Sequence, residues 1–110
     1  YLSSTGVYGD VGGAWVDESA TIGGGRRDTR SAADLAWQRL HPEARVFRLP
    51  GIYGPGRSPL DRLVAGTAYR TGMPDQRFSR IYVDDVVNAV LLSFERAPAG
   101  VYNIADDEPA

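Results

Sequence analysis

An α/β fold built on a parallel sheet follows from two observations on this 110-residue chain. Short runs of β-branched and aromatic residues alternate with segments whose apolar residues recur at helical spacing, and Pro or Gly punctuates most of the changes. The length allows one hydrophobic core and no second.

Tyr1 to Ser4 is read as a strand, and Thr5-Gly6-Val7-Tyr8-Gly9-Asp10 as turn-rich. The Gly-rich segment 11–27 is a long loop, with Trp15 and Val16 expected to anchor it. A helix is expected over 29–40, where Ala33, Ala36, Trp37 and Leu40 recur at helical spacing, and Pro42 closes it. Val46-Phe47-Arg48-Leu49 is a strand stopped by Pro50-Gly51. Residues 51–59 read as a loop whose glycines let backbone approach a ligand. Ser58, Pro59 and Asp61 then supply an N-cap, a first-turn proline and an acid for a helix running to about Arg70. Residues 71–80 form a connection. Ile81-Tyr82-Val83 is extended, and Asp84 and Asp85 are expected to cap a third helix with an apolar stripe of Val86, Val87, Val90, Leu91 and Phe94. Val101 to Ile104 is the final strand.

Composition removes several functions. Hydrophobic residues at 43% and charged residues at 24% exclude a disordered tail. With no cysteine and a single histidine, His41, nothing favours a disulfide, a thiolate nucleophile or a transition-metal site. His41 is read as a surface residue. All 12 basic residues are Arg, so no lysine is present for Schiff-base chemistry. A net charge of −2 lacks the field that draws a chain to nucleic acid or anionic lipid. No apolar run approaches the roughly 20 residues that span a bilayer. A cytoplasmic protein without metal, nucleic-acid or membrane partners is therefore expected.

Four segments resemble the extended short-chain dehydrogenase/reductase superfamily of NAD-dependent epimerases and dehydratases: Ser3-Ser4-Thr5-Gly6-Val7-Tyr8-Gly9, Arg48 to Gly56 (RLPGIYGPG), Ile81-Tyr82-Val83-Asp84-Asp85-Val86, and Val101-Tyr102-Asn103-Ile104. The SSTGVYGD, FRLPGIYGPGR and SRIYVDD stretches are most similar to a bacterial subgroup of atypical members. The resemblance implies a partial Rossmann-like parallel sheet with flanking helices, lacking the N-terminal Gly-rich half that holds a dinucleotide pyrophosphate. Residues 1–110 are then the C-terminal portion of a single NAD(P)-binding domain. Such a piece, with apolar faces and sheet edges uncovered, is expected to be aggregation-prone alone. Gly51-Ile52-Tyr53-Gly54-Pro55-Gly56 is not expected to replace the phosphate cradle, since Pro55 lacks a donor N–H.

The resemblance also assigns roles. Ser4 is the hydroxyl that hydrogen-bonds the reacting substrate oxygen, as a group able both to donate and to accept. In the dehydratase branch the next two residues are acid and base, but here they are Thr5 and Gly6. The family's proton relay is a Tyr and a Lys one helical turn apart. Counting back from Asp34, those positions hold Arg26 and Arg30, and guanidinium cannot act as a general base. Arg26 and Arg30 are left as candidates to bind an anionic substrate. Ser3, Pro50 and Gly51 fall beside the cofactor, while Tyr8, Tyr53 and Arg57 fall on the substrate side. Asp84, Asp85, Tyr102 and Asn103 are read as structural. Two functions stay open. One is an NAD- or NADP-dependent oxidoreductase of the epimerase/dehydratase type acting on a sugar nucleotide or other anionic metabolite. The other is an inactive sensor of cofactor or metabolite on the same scaffold.

Overall fold

The computed structural model describes residues 1–22, 28–66 and 77–107. Strand β1 (Leu2–Ser4) leads into a short 3-10 turn, Thr5–Tyr8, and helix α1 spans Asp28–Leu40. Strands β2 (Arg45–Leu49) and β3 (Gly51–Tyr53) follow almost without a break. After them come helix α2 (Pro59–Val64), strand β4 (Arg80–Tyr82), helix α3 (Val83–Arg96) and strand β5 (Gly100–Asn103).

Among the described residues the named strands all pair in parallel. One sheet has the order β1-β2-β5, with Ser4 opposite Leu49 and Arg48 opposite Asn103. A second pairs β3 with β4, Ile52 lying opposite Ile81. The predicted parallel α/β architecture with flanking helices is present. The 51–59 loop, however, begins with a strand. Pro50 breaks the β2 ladder, and the chain resumes pairing at once with a different partner, β4.

Strand β2 is buried on both faces, as the centre of a parallel sheet should be. Phe47 and Leu49 point to one side and join Ile81 and Val86, with Ile52, Val90, Tyr102 and Ile104 packed around them. By alternation Val46 and Arg48 point to the other side, where Arg48 meets Asp34 of α1.

Helix faces depart from expectation. In α1 the residues turned inward are Ser31 and Asp34, at 4% and 0% exposure, whereas Trp37 and Leu40 are exposed. A buried Arg on the facing strand demands a polar helix face, and this outweighs the apolar stripe. In α3 only Val86 of the expected stripe is buried, while Val87, Leu91 and Phe94 face outward. The cap of α3 is Tyr82, with no side-chain bond to the helix end, and Asp84 and Asp85 lie in the first turn instead. Helix α2 begins as predicted. Ser58 Oγ accepts from the Asp61 amide at 3.2 Å, with Pro59 in the first turn. The helix stops at Val64 and a turn follows through Gly66, at φ 74°, where glycine is favoured because it has no Cβ. Arg70 lies outside the described residues.

Candidate functional site

Parallel strands bring their carboxyl ends to one edge of a sheet, and ligands of open α/β folds bind beyond that edge. Here the edge is formed by Ser4 ending β1, Pro50 following β2, and Ile104 to Asp107 following β5. Next to it opens a cleft of about 490 Å³ lined by Ile81, Asp85, Ile104, Ala105, Asp106 and Asp107.

Ser4 caps the 3-10 turn. Its backbone is extended, and its Oγ accepts from the Gly6 amide at 3.0 Å, leaving the hydroxyl proton to donate elsewhere. Ser3 faces away from Ser4 by strand alternation, and its hydroxyl donates to Asp34 Oδ2 at 2.6 Å. Tyr8 is buried with its hydroxyl engaged twice, donating to Asn103 Oδ1 at 2.6 Å and accepting from Arg48 Nη1 at 3.1 Å.

Pro50 is half-buried, and Gly51 is exposed as the first residue of β3. Tyr53, at the other end of β3, donates to Asp106 Oδ2 at 3.2 Å and so bridges the two sheets at the cleft. Partial desolvation and the neighbouring Asp106 carboxylate both push the Tyr53 phenol above its ordinary value. A phenol held neutral in this way is a donor, not a base. Arg57 is exposed, and its backbone pairs with Gly54 in a tight turn through Gly56 at φ 77°. Arg30 is exposed in the first turn of α1, and Arg26 lies outside the described residues. His41 is a surface residue tilted against Trp37.

Trp15 and Val16 do not anchor the 11–22 stretch, for Trp15 is 80% exposed. Glu18 ties this stretch down, its Oε1 accepting from the Asn103 amide at 2.8 Å just where β5 ends. A carboxylate reaching an unpaired strand amide does here what aromatic packing was expected to do.

The least anticipated feature lies beneath the edge. Arg48 donates to Asp34 through Nε at 3.0 Å and Nη2 at 2.8 Å, with the Arg and Asp side chains 3% and 0% exposed. Gln38 Nε2 donates to the same carboxylate at 2.7 Å. Burial pushes the Asp34 carboxyl up, but the bonds from Arg48 and Ser3, the Arg48 charge and the Gln38 bond outweigh it and hold the group below the carboxylate range. The Arg48 guanidinium sits 5.1 Å from the centre of the Tyr8 ring. The signal was in the sequence: an Arg inside VFRL, a strand otherwise fit for full burial, requires a buried counter-ion.

Among the described residues no group of three His, Asp or Glu side chains is placed to hold a metal ion, and no helix is long and apolar enough to cross a membrane.

No protein-family model and no curated protein matches the chain, but solved structures do. A conserved protein of unknown function from Silicibacter pomeroyi is 45% identical, with a TM-score of 0.86, the match covering all of this chain and 40% of that one. TunA, an NAD-dependent NDP-hexosamine 5,6-dehydratase involved in tunicamycin biosynthesis, is 25% identical, with a TM-score of 0.78 over 99% of this chain and 41% of its own. The UDP-N-acetylglucosamine 4-epimerase of Methanobrevibacter ruminantium, solved with UDP-N-acetylmuramic acid, shares the fold at 21% identity and a TM-score of 0.79, over all of this chain and 41% of its own. The chain thus spans about 40% of the length of these relatives.

Proposed function

This chain belongs to the extended short-chain dehydrogenase/reductase superfamily, the group of NAD-dependent epimerases and dehydratases, and on that premise we propose that it works as an oxidoreductase on nucleotide sugars. Residues 1–110 would be the C-terminal portion of one NAD(P)-binding domain, and the 40% share of each relative supports this. Relatives have been solved with NAD and with NADPH, so a nicotinamide cofactor is the expected partner, its pyrophosphate held outside these residues.

The observation that carries the reading is the shared edge of three parallel strands, where β1 ends at Ser4 opposite Leu49 of β2. Ser4 would hydrogen-bond the substrate oxygen whose carbon gives up or regains hydride. The carboxylates of Asp85, Asp106 and Asp107 at the cleft accept from hydroxyls and repel phosphates. A sugar or ribose ring suits this cleft, and a pyrophosphate does not. Arg26 and Arg30 stand where the family carries its Tyr and Lys, and would serve as anion-binding residues.

A second reading, a sensor without turnover, rests on that same Arg30: guanidinium cannot accept the proton that hydride transfer requires. The two part in one experiment on the protein with its native flanking sequence. NAD and NADP binding is measured by calorimetry, and cofactor reduction is followed with UDP- and dTDP-sugars. The oxidoreductase reading expects binding and turnover, the latter lowered ~10²-fold or more by Ser4→Ala. Binding without turnover selects the sensor, and absence of nicotinamide binding rejects both.

A further inference from the structure

With Ser4 facing substrate, the most deeply buried charges among the described residues, Asp34 and Arg48, remain unused. Stability alone explains them poorly, because a buried ion pair barely recovers its desolvation and apolar groups of similar volume serve as well. Their geometry is directional. Arg48 Nε and Nη2, Ser3 Oγ and Gln38 Nε2 all converge on the two oxygens of Asp34.

Two of these partners, Ser3 and Arg48, lead to the crevice. Ser3 immediately precedes Ser4 in an extended strand, so holding the Ser3 side chain toward α1 turns Ser4 to the opposite face. There its Oγ accepts the Gly6 amide. The third guanidinium nitrogen of Arg48, Nη1, donates to the Tyr8 hydroxyl, which donates in turn to Asn103 Oδ1. The backbone N–H of Asn103 is where Glu18 fastens the 11–22 stretch. One carboxylate thereby orients β1, the 3-10 turn and the end of β5 together.

We propose that Asp34 is a positioning residue: acting through Ser3 and Arg48, it fixes the side chain of Ser4 and the seat of the Thr5–Tyr8 turn, and it never touches substrate. This rests on the reading of Ser4 as the substrate-facing hydroxyl. Its test uses the protein with native flanking sequence and three variants. Asp34→Asn removes the charge at constant volume, Asp34→Glu restores it, and Ser3→Ala removes one donor while sparing the ion pair.

Amide hydrogen exchange at Gly6 reports directly on Ser4. Asp34→Asn should speed exchange at Gly6 and Asn103 by ~10-fold or more and leave the amides of α3 at parental protection. Ser3→Ala should speed Gly6 alone by ~3-fold, which keeps the test decisive where Asp34→Asn does not fold. In turnover, Asp34→Asn should lower kcat ~10-fold with KM held within ~3-fold, and Asp34→Glu should recover part of it. Uniform acceleration of all amides in Asp34→Asn, or unaltered Gly6 exchange in Ser3→Ala, overturns the proposal. Parental turnover in Ser4→Ala refutes the Ser4 reading by itself, since the exchange result does not depend on it.

Discussion

The two faces of β2 are held by opposite means. Toward α3, Phe47 and Leu49 pack with Ile81 and Val86 in a small apolar cluster. Toward α1, the same strand buries Arg48 against Asp34 and a set of side-chain hydrogen bonds. Apolar contact is indifferent to direction and gains free energy by area alone. A buried ion pair gains little net stability once desolvation is counted, but its charge-assisted bonds specify angles and partners. The polar face lies under Ser3, Tyr8 and Asn103, where orientation matters, and the apolar face supports the cleft wall.

The largest effect should come from breaking the polar face. Asp34→Ala strands the Arg48 guanidinium in a buried site and should cost about 3–5 kcal/mol, read as a lower denaturant midpoint. The same carboxylate shapes acid stability. Its folded pKa is depressed, so its contribution is complete above the unfolded carboxylate value of about 4 and is lost as pH falls through the lower folded value. Midpoints measured stepwise below pH 5 should therefore fall less steeply in Asp34→Ala than in the parent. An equally steep fall would assign the acid limb to other groups.

On the apolar side the sharpest steric limit is Gly54, where an added Cβ would lie 2.7 Å from Val83 Cγ1. Gly54→Ala should cost about 1–3 kcal/mol through overpacking. Adding Val83→Ala removes the opposing methyl and should return most of that loss. Failure of the second change to compensate would place the cost in the turn backbone. A smaller effect, about 0.5–1.5 kcal/mol, is expected from Ile81→Val, one methylene lost from the cluster. Unlike Asp34→Ala, it should leave the pH dependence of stability unchanged, which is the comparison in its simplest form.

The exposed apolar row of Val87, Leu91 and Phe94 on α3 bears on the same contrast. These residues recur at helical spacing exactly as buried ones would, and the period alone does not say what covers them. Likewise Ala33, Ala36, Trp37 and Leu40 signalled a helix over 29–40, yet the inward face belongs to Ser31 and Asp34. Period reveals that a helix forms. Which face turns inward depends on the neighbour, here a strand carrying Arg48.

By itself the sequence determined the parallel α/β class, the span of α1, the Ser58 cap of α2, and the strands around 46–49 and 101–104, because all of these rest on local chemistry: period, caps and breakers. It also singled out Ser4 and Pro50, which the fold places at the ends of β1 and β2, through motifs contiguous in the chain. Only the tertiary structure decided that Gly51–Tyr53 is a strand, since that requires Arg80–Tyr82 as its partner. Only it joined Tyr8 to Asn103 and Glu18 to the end of β5, contacts that span 95 and 85 residues. A buried charge on one segment announces that a counter-charge must exist. Its identity is settled by which helix the fold lays across it.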